Sequence, residues 1–269
     1  VKGVLTSLAN PRVRRARGLQ RARERSASGL VLAEGVKVVR ELLDLPERVV
    51  EIFWAEQVTE RPGGGSMLDR ARAAGVPLVQ VTDAVLERLA DTRTPQGVVA
   101  VARLTPATLP EILARPGDVL VLAGVQDPGN MGTLIRSAEA AGAAGVVLGP
   151  GCADPAGGKA VRAAAGSVFR LPWAEWDGPI ETLADYLKAE SCVVCVAQVD
   201  GDISPREAAR YARVAWILGA EGQGVPAELA AVADCAVRVP MAPPVDSLNV
   251  AIAGSLLLFS RGGAASGGG

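Results

Sequence analysis

Short apolar runs alternate along the chain with polar, glycine-bounded stretches, and run length and spacing separate strands from helices. Runs rich in branched residues predict strands at Gly29–Leu32, Val49–Trp54, Pro77–Val81 and Val98–Ala102. Between them, apolar positions at helical spacing predict helices over Pro11–Arg25, Val36–Leu43, Met67–Ala74 and Ala84–Leu89. "RPGGGS" at 61–66 reads as a flexible loop. This alternation describes a layered α/β unit over residues 1–103. Residues 104–117, with three prolines, read as a linker holding one helical turn.

From Asp118 the pattern changes. "DVLVLAGV" is a buried strand, "NMGTLIRSAEAAG" a helix closing on Gly142, and "GVVL" at 145–148 the next strand. A strand–helix–strand of that length is a βαβ unit, so the sheet is at least partly parallel. Further strands are predicted at Cys192–Gln198, Val214–Leu218 and Ala236–Val239. The last helix, from Ser247 to Phe259, is apolar on nearly every face and therefore needs cover on every side. Residues 118–260 form this second unit, and the low-complexity tail 261–269 is expected to be disordered.

Composition narrows the chemistry. The chain has no histidine, which removes the usual general base, the usual zinc ligand and any Ser-His triad. Catalysis must fall to Arg, Lys, Asp, Glu, Asn, Ser or Cys. Lys plus Arg is 28 against 29 for Asp plus Glu, so contact with nucleic acid would have to come from a local patch. That patch is "RVRRARGLQRARER" at 12–25; on one continuous helix, Arg14, Arg17, Arg21 and Arg25 would share a face and track phosphates. The four cysteines lack a framework spacing, and "SCVVC" at 191–195 reads as buried thiols in a strand rather than a zinc site. A reducing, cytoplasmic setting is expected, with no bilayer-spanning run and no signal peptide.

Ligands in open α/β sheets bind beyond the carboxyl ends of strands. Three segments at such ends carry polar residues that packing does not need: 124–142, 218–226 and 239–254. Asn130 stands at a helix N-cap position, and Asp246 or Ser247 caps the last helix with Asn249 in its first turn. Arg136 pairs most simply with Glu139. Glu221, inside the three-glycine turn "LGAEGQGVP", is a carboxylate in need of a partner. Read singly, these are ordinary caps and ion pairs. A dinucleotide enzyme using "GAEGQG" is the rival reading, but its spacing is G-x-x-G-x-G rather than the dinucleotide fingerprint.

Read jointly, "DPGNMGTLIRSAEAAG", "LGAEGQGVP" and "VPMAPPVDSLNVAIAG" resemble, in order and spacing, the three signature motifs of the SPOUT-class RNA ribose 2′-O-methyltransferases, the TrmH or SpoU family. The likeness continues through "GGKAVRAAAGSVFRLP" at 157–172. The segments "LTSLANPRVRRARGL" and "GLVLAEGVKVVREL" are similar to the substrate-binding domain, related to ribosomal protein L30e, that many members carry. The resemblance implies an α/β fold: a C-terminal SPOUT α/β-knot, a deep trefoil knot with a mostly parallel sheet, behind a smaller L30e-like α/β/α domain. It implies methyl transfer from S-adenosylmethionine to a ribose 2′-hydroxyl of structured RNA, with 23S rRNA favoured. A tRNA 2′-O-methyltransferase and a non-catalytic RNA-binding protein on the same fold are the alternatives. Carried over residue by residue, the catalytic set is Arg136, Asn130, Glu221, Ser247 and Asn249. Arg136 would act on the ribose hydroxyl, and Glu221 would orient its guanidinium. Leu218, Gly219, Val239, Met241, Leu248 and Asn249 would meet the cofactor, and Arg14, Arg17 and Arg21 the RNA. A homodimer without metal is expected. Asp127 stands where many members have Asn, and Ala251 where a serine is common.

Overall fold

The structure, a computed structural model, describes residues 3–222 and 224–261; of the tail expected to be disordered at 261–269, Arg261 is instead held by Asp118 and by the Tyr211 and Ala212 carbonyls, and 262–269, like Gln223, lie outside the described residues. The chain forms two compact units. One takes the chain up to Thr105 together with Asp154–Phe169; the other takes Pro106–Ala153 and the chain from Arg170 onward.

The first unit is built on a mixed sheet of β1 (Leu30–Glu34), β2 (Val49–Trp54), β3 (Leu78–Gln80) and β4 (Val98–Arg103), in the order β1-β4-β2-β3. β4 runs antiparallel to both β1 and β2, and β3 parallel to β2. The basic segment is two helices, α1 (Pro11–Gly18) and α2 (Ala22–Ser28), where one was predicted. Arg25 explains the break. Its guanidinium donates to the carbonyls of Leu19 (2.9 Å) and Gln20 (3.0 Å), satisfying groups a continuous helix would have used itself. It is also ion-paired with Asp154 and only 11% exposed, so Arg25 leaves the expected stripe. Arg21 becomes the residue before α2 instead of the third turn of one helix.

Helices α3 (Val36–Leu42), α4 (Gly64–Ala73) and α5 (Asp83–Leu89) complete the run to β4. The glycines of "RPGGGS" are not a slack loop. Gly64 opens α4, and a Cβ there would lie 1.8 Å from the Val58 carbonyl oxygen. The core joins Val13 and Ala16 of α1 to Phe53, Leu86, Leu89, Val99 and Val101.

In the second unit α6 (Leu109–Leu113) comes first, started by a reciprocal Thr108–Glu111 capping box. Its Ile112 and Leu113 are buried in the unit's core, so much of the expected linker is core. The sheet consists of β5 (Val119–Ala123), β6 (Gly145–Leu148), β7 (Trp173–Glu175), β8 (Val193–Ala197), β9 (Val214–Gly219) and β10 (Cys235–Val237), in the order β10-β8-β9-β5-β6-β7. Every pairing is parallel. β5 is buried throughout, as unbroken apolar runs covered on both faces should be. Asp118, buried just before β5, accepts from Val214 N (2.9 Å) and Trp216 Nε1 (3.0 Å) and is ion-paired with Arg261, whose Nε lies 3.1 Å away.

Helices α7 (Pro128–Ala140), α9 (Ile180–Ala189), α10 (Pro205–Ala208), α11 (Ala227–Ala231) and α12 (Val250–Phe259) belong to this unit, while α8 (Gly158–Ala164) belongs to the first. There α8 lies against β1, and Arg162 bridges Glu34 (3.2 Å) and Asp91 (2.8 Å). β7 and α8 to α11 were not predicted as separate elements. Each is short except α9, which buries Leu183, Ala184 and Leu187 along one stripe.

Candidate active site

β5 and β9 are neighbours, so the loops leaving their carboxyl ends meet; the loop leaving β10 joins them. After Gly219 the chain doubles back on itself. Ala220 N donates to Gly224 O (3.0 Å) and Gly224 N to Ala220 O (2.9 Å). A Cβ on Gly219 would sit 1.9 Å from the Gly224 carbonyl oxygen, and Gly222 and Gly224 hold φ of +78° and +72°. The glycines are therefore required by the turn itself. The turn displays Glu221, and a Cβ on Gly222 or Gly224 would meet nothing within 4 Å, so its backbone fronts open space.

α7 is capped by Asp127, not Asn130. The Asp127 carboxylate accepts from Asn130 N (2.9 Å), with Pro128 at the first helical position. The Asp-Pro pair was the signal that sequence reasoning passed over. Asn130 is thereby free to use its side chain elsewhere: its Nδ2 donates to Glu221 Oε1, and its Oδ1 accepts from Asn249 Nδ2 (3.2 Å). Asn249, not Asp246 or Ser247, caps α12, accepting from Ala251 N (2.9 Å) and Ile252 N (3.3 Å). With its oxygen committed to the cap, Asn249 can only donate toward Asn130. Glu221, Asn130 and Asn249 thus tie the three loops together in a chain of fixed polarity.

Arg136 stands apart from this chain. It is exposed on α7 and makes no ion pair among the described residues. The expected Glu221–Arg136 pair does not form because Asn130 holds the carboxylate. Nor does Glu139 take Arg136, since Arg170 grips Glu139 with two bonds of 2.6 and 3.0 Å. Ser247 donates to Asp246 (3.3 Å), its neighbour in the exposed loop. Leu218 is buried at the end of β9, Val239 and Met241 are half-buried, and Leu248 and Asn249 are exposed. α12 is held close to α7. A Cβ on Gly254 would lie 2.4 Å from Leu134 and 2.5 Å from Leu218, and the Ser137 and Ser255 hydroxyls are 2.7 Å apart. Cys192 and Cys195 are buried, and Cys195 stands opposite Cys235 on the neighbouring strand, whose thiol, together with burial, pushes the Cys195 thiol up.

In the first unit, Arg14, Arg17 and Arg21 are exposed and line an open cleft of about 730 Å3.

Residues 118–259 match the SpoU rRNA Methylase family. The chain belongs to this family. Residues 10–100 match the MRM3-like substrate binding domain. Among SpoU relatives, the 23S rRNA (guanosine(2553)-2′-O)-methyltransferase RlmP of Bacillus subtilis (strain 168) is 33% identical over 255 residues, covering 95% of this chain and 97% of the relative. The 23S rRNA (guanosine-2′-O-)-methyltransferase RlmB of Bordetella pertussis (strain Tohama I) is 32% identical over 238 residues, covering 87% and 96%. A crystal structure of an AdoMet-bound rRNA methyltransferase from Sinorhizobium meliloti superposes with a TM-score of 0.81 at 32% identity, covering 96% of this chain and 97% of that one. The loops joined by Asn130, Glu221 and Asn249 all fall within the SpoU span, and the arginine-lined cleft begins within the substrate-binding span.

Proposed function

We infer that this chain transfers a methyl group from S-adenosylmethionine to a ribose 2′-hydroxyl of RNA, and that the RNA is 23S rRNA. The observation that carries the reading is the Glu221–Asn130–Asn249 chain joining three strand-end loops in a member of the SpoU family. The Bacillus and Bordetella relatives, both named as 23S rRNA ribose methyltransferases, favour the ribosomal substrate.

The residues present fit the cofactor. Val239, Met241 and Leu248 supply aliphatic surface for a purine, and Gly222 and Gly224 leave open space beside the main chain just past the buried Leu218, where an adenosyl group can approach. When bound, the sulfonium supplies an electrophilic methyl group for in-line displacement, so alignment is the main demand on the protein. Asn130, Glu221 and Asn249 meet that demand by holding the loops in register, with Gly219 allowing the turn and Ser247 placed on the third loop. Arg136 makes no ion pair among the described residues and is always charged, which makes it a poor base but a good partner for an RNA phosphate and for the alkoxide developing on the 2′-oxygen. Arg14, Arg17 and Arg21 contact phosphates of the same RNA. In this reading residues 1–103 select the substrate and 118–260 carry out the transfer, in the cytoplasm. No helix among the described residues is long and apolar enough to cross a membrane.

We propose further that the chain works as a homodimer. Ile252, Leu256 and Phe259 of α12 are 54%, 47% and 48% exposed, and an apolar helix face of this kind calls for cover. A twofold partner is the commonest solution.

Mapping ribose methylation on rRNA and tRNA from cells with and without the gene tests the substrate. One 2′-O-methyl lost from 23S rRNA is expected. Loss confined to tRNA would replace the ribosomal assignment.

A further inference from the structure

Glu51 on β2 is 1% exposed, yet it faces a helix of arginines. The β2–β4 register shifts between Val49 and Glu51, the kind of irregularity that re-aims a side chain. Both carboxylate oxygens are occupied. Oε2 accepts from Arg12 Nε (2.7 Å) and lies 2.6 Å from its Nη2, and Oε1 accepts from Arg15 Nη2 (2.5 Å). α1 thus divides its four arginines. Arg12 and Arg15, one turn apart, are drawn to Glu51. Arg14 and Arg17, also one turn apart, make no ion pair among the described residues and face the open cleft with Arg21. Arg15 and Glu24 line that cleft too, so Arg15 stands at its wall with its charge already answered.

We propose that Glu51 is a specificity-determining residue of the RNA-binding face: it withholds Arg12 and Arg15 from phosphate and so fixes how many cations α1 offers. The inference rests on the reading of Arg14, Arg17 and Arg21 as phosphate contacts. If either arginine left for a phosphate, the buried Glu51 would keep a single cation on one oxygen, and if both left it would be an uncompensated buried carboxylate, which is strongly unfavourable. The two held arginines therefore stay home on any RNA. Phosphate contacts carry no sequence information, and each added one raises affinity for every RNA alike. Limiting their number keeps binding dependent on the shape of the correct substrate.

Glu51→Gln in the full-length protein keeps the side chain's size and frees both arginines. Binding of a 23S rRNA transcript and of poly(U) is then measured across a salt series. The slope of log affinity against log salt is expected to steepen by about 0.7–0.9 for each arginine released. Affinity for poly(U) is expected to rise more than affinity for the transcript, narrowing discrimination. The triple variant Arg12→Gln/Arg15→Gln/Glu51→Gln has no cation to release and should return the wild-type slope. A residue that only pins α1 would change thermal stability and leave the slope alone, and an unchanged slope in folded Glu51→Gln overturns the proposal. A readout that needs no variant is arginine modification by phenylglyoxal, followed by mass spectrometry, with and without RNA. RNA should protect Arg14, Arg17 and Arg21 and leave the rates at Arg12 and Arg15 unchanged; protection of Arg12 and Arg15 overturns the proposal. A wild-type affinity indifferent to salt, with no arginine protected, would instead overturn the phosphate-contact reading, and this inference with it.

Discussion

Arg136 is exposed on α7 and lacks an ion-pair partner among the described residues, so removing its side chain takes nothing from the loops that would hold the cofactor. Arg136→Ala is therefore expected to bind S-adenosylmethionine nearly as tightly as the wild type by calorimetry while losing tritiated-methyl transfer. Arg136→Lys should fail as well, because a point charge does not replace a planar fork. Turnover at the wild-type rate by either variant would remove Arg136 from the mechanism. Asn130→Ala should behave differently. It leaves the Glu221 carboxylate and the Asn249 amide without their partner and lets three loops drift, so cofactor affinity should fall along with turnover. At this scale the sequence was legible only in part. The motifs marked Asn130, Glu221 and Asn249 as a group, but partners 91 and 119 positions apart cannot be paired by spacing. The expected Arg136–Glu221 pair failed because Asp127 caps α7 and leaves the Asn130 amide free to take the carboxylate.

At the scale of elements, two tight fits support the site. Gly219→Ala would drive a Cβ to 1.9 Å from the Gly224 carbonyl and open the turn that carries Glu221. Loss of cofactor binding is expected together with a lower melting temperature, because Gly219 closes β9 and the same Cβ would lie 2.3 Å from the amide nitrogen of Val225, which packs on the core. Asp118→Ala tests the opposite end of the sheet. It leaves the Trp216 indole and the Val214 amide without their acceptor and Arg261 without its ion pair, and should cost about 3 kcal/mol in chemical denaturation. Acid should loosen α6 and α10. Hydrogen bonds to Thr108 and to Ser204 hold the Glu111 and Glu207 carboxyls below their ordinary value. That help is complete above the ordinary carboxylate range and is lost as pH falls through the lowered values. Amide exchange in these two helices should rise first on acidification. The long β-branched strands were readable: Val49–Trp54 falls where predicted, and Val214–Leu218 stops one residue short of β9. The break between α1 and α2 was not, because it depends on Arg25 reaching back to Leu19 and Gln20 and on Asp154, far along the chain.

At the scale of the whole molecule, the proposed dimer makes a mass prediction. Sedimentation equilibrium at micromolar concentration should give twice the 27.6 kDa chain mass, and Ile252→Glu/Leu256→Glu on the exposed face of α12 should return it to the monomer. A fully active monomeric wild type would show that the exposed apolar face needs no second copy. The division into units was only partly legible, because residues 154–169 are contiguous with the SpoU motifs in sequence yet pack with the first unit through Arg162, Glu34 and Asp91. The central claim is that the chain methylates ribose, and the chemistry of the product tests it most directly. Purified protein is incubated with tritiated S-adenosylmethionine and 23S rRNA, and the RNA is hydrolysed in alkali. A methylated 2′-oxygen cannot attack the neighbouring phosphate, so the account predicts label in an alkali-resistant dinucleotide, lost with Arg136→Ala. Label recovered in mononucleotides, as base methylation would give, or no transfer to RNA at all, would contradict it.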